Sequence, residues 1–275
     1  MHPEAIIKFS FFGKEVGIYL YGLMIAVGLI ACLTVFFIYT TKSKMNADVQ
    51  DFTYFVAIGA VAVGFLSAKL FQAFYDYIAT GKWSFANAGL TVMGGLIGGI
   101  VSFIVIYFGI GHFVFKKKKE HIPAFNEILR VAPCCITVTH AFGRLGCMFA
   151  GCCYGRVSNS GFGMYMKGAI RVPTQLYESI FLFSLFVVLT ILYFKKFNVL
   201  HTVYLVAYGI WRIIIEYFRA DYRGGVEGSF FTPSQWQSCL FIVFGLALLG
   251  FYILKKYPIF LKTSNDQNEK LVEIE

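Results

Sequence analysis

Charge is what this sequence lacks. Of its 275 residues only 14% are Asp, Glu, Lys or Arg, where a soluble domain of this length carries roughly a quarter. It has no phosphate-binding loop, dinucleotide fingerprint or metal motif, so neither a soluble cofactor nor a metal is expected. Nothing near the start resembles a cleavable signal peptide: the first ten residues are mixed, and the first apolar segment is long enough to span a bilayer. Hydrocarbon and aromatic surface takes the place of charge. The chain is 58% hydrophobic, holds 31 phenylalanines and has a mean hydropathy of +0.68. Several apolar stretches approach the ~20 residues that cross a bilayer core, so the expected fold is an all-α polytopic membrane protein. The net charge of +9 then points to anionic lipid headgroups and cytoplasmic loops, not to nucleic acid.

About seven candidate spans lie near residues 16–40, 53–77, 88–110, 128–149, 174–194, 199–218 and 234–254. Lysines orient them. Lys42 and Lys44 follow the first span, Lys116 to Lys119 the third, Lys195 and Lys196 the fifth, and Lys255 and Lys256 the seventh. Every cluster follows an odd-numbered span, so all share one face. By the positive-inside rule that face is cytoplasmic and the N-terminus is outside. Residues 1–260 are expected to form a single transmembrane helical domain, and residues 261–275 a short polar cytoplasmic tail.

That orientation gathers unusual polar residues at one depth, near the outer headgroup layer. Tyr21 sits in the outer part of the first span, and Met93-Gly94-Gly95 enters the third from outside. Arg144 and Cys147 lie at the outer end of the fourth, and Tyr208, Arg212 and Glu216 in the outer half of the sixth. The loops 150–173 and 219–233 are external too. His140, Arg144 and Cys147 fall at i, i+4 and i+7, one helical face. Tyr208, Arg212, Glu216 and Arg219 fall at i, i+4, i+8 and i+11, again one face. One reading makes Arg212 and Glu216 an ion pair that holds the bundle, with Arg144 nearby; for Glu216 and Arg219 this structural role is preferred. For Arg144 and Arg212 function is preferred, because two arginines from different helices at headgroup depth make a fork suited to a phosphate.

These residues carry a family resemblance. Tyr21-Gly-Leu, Gly-Gly-Leu-Ile-Gly-Gly at 94–99, Gly143-Arg144-Leu-Gly146, Pro173-Thr-Gln175-Leu-Tyr177-Glu178 and Tyr208-Gly-Ile-Trp-Arg212, followed by Glu216 and Arg219, resemble the prolipoprotein diacylglyceryl transferase family. The resemblance runs from about residue 16 to residue 240. It implies a multi-pass protein of the bacterial cell membrane with its active site near the outer leaflet. The implied reaction moves the sn-1,2-diacylglyceryl group of phosphatidylglycerol to the lipobox cysteine of a prolipoprotein signal peptide. A thioether forms and glycerol phosphate leaves. The thiolate is the nucleophile, so a base is needed, and cations must steady the departing phosphate. Arg144 and Arg212 match the family's essential arginines. Tyr21 and Tyr208 match its functional tyrosines, suited to donate to headgroup oxygens. The glycine run 94–99 lets the lipid or a neighbouring helix approach the backbone.

The chain also departs from the family pattern. Met93 stands where members carry the histidine of His-Gly-Gly, and Cys147, Ala150 and Cys152 stand where they carry Asn, Asn and Glu; Gly155 keeps its place. His140, one turn from Arg144, is a candidate replacement base; the alternative is that it only hydrogen-bonds a neighbouring helix. Cys147, Cys152 and Cys153 have a zinc site's ligand type, but their spacing is not that of a finger or ribbon, and adjacent cysteines rarely chelate one ion well. A disulfide of Cys147 with Cys152 or Cys153 is preferred in an external loop, while Cys152 also fits a thiol taking part in acyl or alkyl transfer. Cys32, Cys134, Cys135 and Cys239 read as core residues.

The expected site therefore has Arg144, Arg212, His140 and Tyr21 as catalytic residues. Its substrate-binding residues are Tyr208, Gly94, Gly95, Gly155, Glu216, Arg219, Gln175, Tyr177, Cys147 and Cys152. Expected partners are phosphatidylglycerol, prolipoprotein signal peptides and membrane lipids. Two alternatives stay open: a relative using another acceptor, and a non-catalytic phospholipid-binding or flipping protein.

Overall fold

The computed structural model describes residues 7–11, 14–86, 89–116, 119–158, 161–220 and 230–256. The tail 261–275, Lys117 and Lys118 of the basic cluster, and residues 221–229 of the loop expected to be external lie outside them. Seven α-helices occur among the described residues: α1 Leu20–Lys42, α2 Ala47–Thr80, α3 Val92–Val114, α4 His121–Ala150, α5 Thr174–Phe194, α6 Leu200–Glu216 and α7 Pro233–Lys256. Two short antiparallel hairpins accompany them, β1 Ile7–Phe11 with β2 Lys14–Ile18, and β3 Met164–Met166 with β4 Ala169–Arg171. The helical expectation holds, and the hairpins are additions to it. The first hairpin also shifts the start of the first helix, because residues 14–18 satisfy their backbone groups by pairing with 7–11 and α1 begins only at Leu20.

Five helices, α1, α2, α3, α5 and α7, are long and apolar enough to cross a membrane. The other two differ for physical reasons. At 17 residues α6 is about 25 Å long, short of a hydrocarbon core of about 30 Å. The 30-residue α4 is long enough, but Glu127, Arg130 and Arg144 interrupt its apolar character.

The helices divide into two compact units, one of residues 37–129 and one of residues 1–36 and 130–275. The first is built on α2 against α3, and small residues make that approach possible. Ser67 donates to the Gly94 carbonyl at 2.8 Å, and the Thr91 amide to the Ala68 carbonyl at 3.1 Å. A Cβ at Gly94 would meet the Phe71 side chain at 2.6 Å, and one at Gly98 would collide with the Ser67 hydroxyl. Near the other end of α3, Tyr107 is fully buried and donates to the His121 carbonyl at 2.8 Å.

In the other unit α4 is central. Thr139 donates to the Gly28 carbonyl of α1 at 3.2 Å, and Ser179 of α5 donates to the Ala141 carbonyl at 3.0 Å. Phe181 of α5 stacks on Trp211 of α6 at 4.4 Å. Gly209 lets α6 meet α7, since a Cβ there would lie 2.7 Å from Ile242. The Ser179 and Phe181 contacts bring α4, α5 and α6 together at the level of the polar residues.

Candidate active site

Glu178 is the centre of that polar level. It is the sole charged residue of α5 and is fully buried. Its Oε2 lies 3.0 Å from Arg144 Nε and 3.7 Å from Arg212 Nη1. Its Oε1 accepts the Tyr208 hydroxyl at 3.0 Å. Arg212 continues the chain of charges, with Nη2 3.1 Å from Glu216 Oε2 and donating to Ser234 Oγ at 2.9 Å. Thr232 then donates to Glu216 Oε1 at 3.1 Å. Positive and negative groups thus alternate from Arg144 through Glu178 and Arg212 to Glu216, and the four sum to zero. Unpaired burial of any one would cost several kcal/mol, roughly the penalty of an ion left in low dielectric.

The expected two-arginine fork is changed by this arrangement. Arg212 spends its terminal nitrogens on Glu178, Glu216 and Ser234. Arg144 meets the carboxylate through Nε, and its guanidinium also interacts with the Tyr208 hydroxyl. His140 is half-buried beside this cluster, its ring edge-on to Tyr208 with centroids 5.0 Å apart. Tyr208 also stacks on Tyr204 at 5.9 Å.

Arg219 does not extend the helical face of Tyr208, Arg212 and Glu216. The helix α6 ends at Glu216, and the amides of Tyr217, Phe218 and Arg219 bond back three residues, tightening the chain into a turn. Arg219 then forms a β-bridge with Gly155. The Gly155 amide donates to the Val172 carbonyl at 2.9 Å and the Arg156 amide to the Phe218 carbonyl at 2.9 Å. Three backbone segments meet at Gly155, where a Cβ would lie 2.6 Å from both carbonyl oxygens. Glycine is required there for close approach.

The same knitted loop gathers three cysteines. Gly151 has a left-handed φ of 68° and closes α4, and the Cys152 amide turns back to the Cys147 carbonyl at 3.2 Å. Cys153 is itself left-handed, with φ 60°, a conformation that costs a non-glycine residue about 1–2 kcal/mol. Carbonyls of this turn are gripped by the start of α5. Gln175 donates through its amide to the Cys152 carbonyl, and Thr174 to the Cys153 carbonyl at 2.8 Å. Both α5 side chains are fully buried. The sulfurs of Cys147, Cys152 and Cys153 all lie within 4.8 Å of one another. All seven cysteines are thiols, so the disulfide favoured from the sequence is not formed. The Cys152 thiol donates to the Cys147 carbonyl at 3.6 Å, and the neighbouring Cys147 and Cys152 sulfurs, with the Arg219 guanidinium, hold the Cys153 thiol below its ordinary range. Adjacency does not keep Cys152 and Cys153 from meeting Cys147, because the two left-handed residues fold the chain back.

Tyr21, exposed at the start of α1, packs its ring 3.2 Å from where a Gly146 side chain would begin. It lines a cavity of about 470 Å³ that is also bounded by Gly22 and by Ala150 of α4. Tyr177 points elsewhere, its hydroxyl donating to the Phe162 carbonyl at 2.8 Å in the loop before β3. Gly94 and Gly95 belong to the other unit, where Phe71, Ala68 and Gly64 of α2 take up the room beside them. Glu178 was absent from the expected site. Its signal was legible, since a lone carboxylate inside an apolar span is costly unless partnered.

The chain is similar to known proteins over nearly its whole length. A family model described as prolipoprotein diacylglyceryl transferase matches residues 8–251. A phosphatidylglycerol–prolipoprotein diacylglyceryl transferase of Clostridium tetani is 29% identical over 253 residues, covering 87% of this chain and 94% of its own. One of Aliarcobacter butzleri is 30% identical over 259 residues, covering 88% and 91%. One of Dehalococcoides mccartyi is 31% identical over 224 residues, covering 75% and 80%. On these matches the chain belongs to the prolipoprotein diacylglyceryl transferase family.

Proposed function

We propose that the chain transfers the sn-1,2-diacylglyceryl group of phosphatidylglycerol to the lipobox cysteine of prolipoproteins, releasing glycerol phosphate. The observation that carries this reading is the hold of buried Glu178 on Arg144, whose Nε lies 3.0 Å from the carboxylate, which fixes the guanidinium in place. A planar fork held rigidly suits the phosphate oxygens of a headgroup, whose charge grows as the carbon–oxygen bond breaks. Arg212, committed to two carboxylates, acts as a positioning residue that fixes Glu178 and hence Arg144. Tyr208 orients the same carboxylate and packs against His140, the candidate base. In this reading the chain crosses the bacterial cell membrane seven times with its N-terminus outside, and the site opens near the outer leaflet.

Purified protein, phosphatidylglycerol vesicles and a synthetic lipobox peptide test the reading. The expected result is a peptide heavier by one diacylglyceryl group with an equal amount of glycerol phosphate. A serine peptide should give none. Lipid binding or flipping without any modified peptide would favour the non-catalytic alternative, which the Met93 departure from the family histidine supports. His140→Ala, assayed beside Met93→His, tests the base: full transfer by the alanine variant removes His140 from the mechanism.

A further inference from the structure

The three-cysteine turn is built more firmly than a loop needs. Its carbonyls are pinned by two fully buried side chains, Thr174 and Gln175, and its flank is bridged to Arg219. It also keeps a left-handed non-glycine residue, Cys153. Such conformations persist where surrounding structure imposes them, and they cluster at functional sites. The result is three sulfurs mutually within 4.8 Å. Tetrahedral zinc, with bonds of about 2.3 Å to sulfur, needs sulfur–sulfur edges of about 3.8 Å, so a modest contraction closes the set around one ion.

We propose that Cys147, Cys152 and Cys153 form a site for one zinc-type cation whose fourth position receives the thiol of the acceptor. Soft thiolate ligands select zinc over calcium or magnesium. Three thiolates and one divalent cation leave a single negative charge, which Arg219 beside Cys153 offsets. A disulfide would use two of the sulfurs and leave the third without purpose. Three protein ligands with an open fourth position are the pattern of a catalytic rather than a structural zinc.

This inference rests on the diacylglyceryl-transfer reading, and it activates the acceptor thiol without calling on His140. A thiol bound to such a cation is deprotonated outright, so the acceptor is activated although Met93 replaces the family histidine. The acceptor thiol gives up its proton to water on binding, and water returns one to the leaving phosphate. Its sulfur pair then attacks the glyceryl CH2 of phosphatidylglycerol, and the carbon–oxygen bond to phosphate breaks. The bonding electrons leave with the phosphate oxygen, which takes up one proton as glycerol phosphate departs. The thioether product is a poorer ligand than the thiolate and is released.

Metal content of the full chain in detergent, purified with zinc present and then desalted, tests the site. About one zinc per chain is expected, falling to background in Cys147→Ser, Cys152→Ser and Cys153→Ser but not in Cys239→Ser. Cobalt(II) exchanged into the wild-type protein should show sulfur-to-metal charge-transfer absorption. A lipobox peptide should alter that spectrum and its serine analogue should not. Wild-type protein that unfolds cooperatively yet holds no metal, or that carries a disulfide among these cysteines, overturns the proposal whatever the variants do. Transfer that survives in metal-free Cys152→Ser overturns it while leaving the transfer reading intact. Zinc bound with no transfer under any condition leaves the metal site standing and removes the transfer reading.

Discussion

Arg144 and Glu178 are hard to separate by alanine substitution, because removing either strands the other in a buried site. Losing one member of a buried pair costs about 3–5 kcal/mol, enough to mimic a catalytic defect by unfolding the protein. Charge-conserving substitution separates the two effects. Arg144→Lys keeps a cation against Glu178 but loses the planar fork. We expect it to melt near the wild-type temperature while diacylglyceryl transfer falls about 100-fold, the loss typical of one missing oxyanion donor. Glu178→Gln should do the reverse in order of severity. It leaves Arg144 without that carboxylate and Arg212 with Glu216 alone, so a thermal melt in detergent should reveal a loss of about 3 kcal/mol before any assay is run.

At the scale of elements, periodicity predicted the helices well and the turns poorly. The i, i+4, i+8 spacing of Tyr208, Arg212 and Glu216 is real, because all three lie within α6. Extending it to Arg219 failed because a helix end is decided by its surroundings, here the backbone bridge to Gly155, which no periodicity encodes. The sequence placed Cys147 beside Cys152 or Cys153 as a disulfide pair, but the meeting of all three sulfurs was not legible, for the same reason. Sequence spacing argues against Cys152 and Cys153 sharing a ligand, and only the left-handed backbone at Gly151 and Cys153 brings them back to Cys147. Glycines 94 and 95 were legible as close-approach positions, and a neighbouring helix is what approaches. Gly155→Ala tests how far the knitted loop supports the thiols. Its new methyl would press on the Val172 and Phe218 carbonyls, so we expect a loss of about 1–3 kcal/mol, the usual cost of overpacking. Maleimide labelling of Cys153 in the metal-free protein should speed up as the loop opens.

For the whole molecule, lysine placement predicts a topology that reporter fusions can check. A green fluorescent protein joined after Lys196 should fluoresce, whereas alkaline phosphatase joined after Gly161 should be active, because the first folds only inside and the second only outside. The reverse pattern would invert the chain and move the arginines and cysteines to the cytoplasmic leaflet. The alternating charges also bear on how such a chain is made. Helix α4 emerges from the ribosome carrying Arg144 before any carboxylate from α5 exists to meet it, and α6 follows with Arg212 and Glu216. A lone cation is a poor passenger in lipid. If α4 crosses the membrane, Glu178 is a clasp in time as well as in space: until α5 arrives, Arg144 has no partner carboxylate from that helix, and α4 has reason to linger at the translocation machinery.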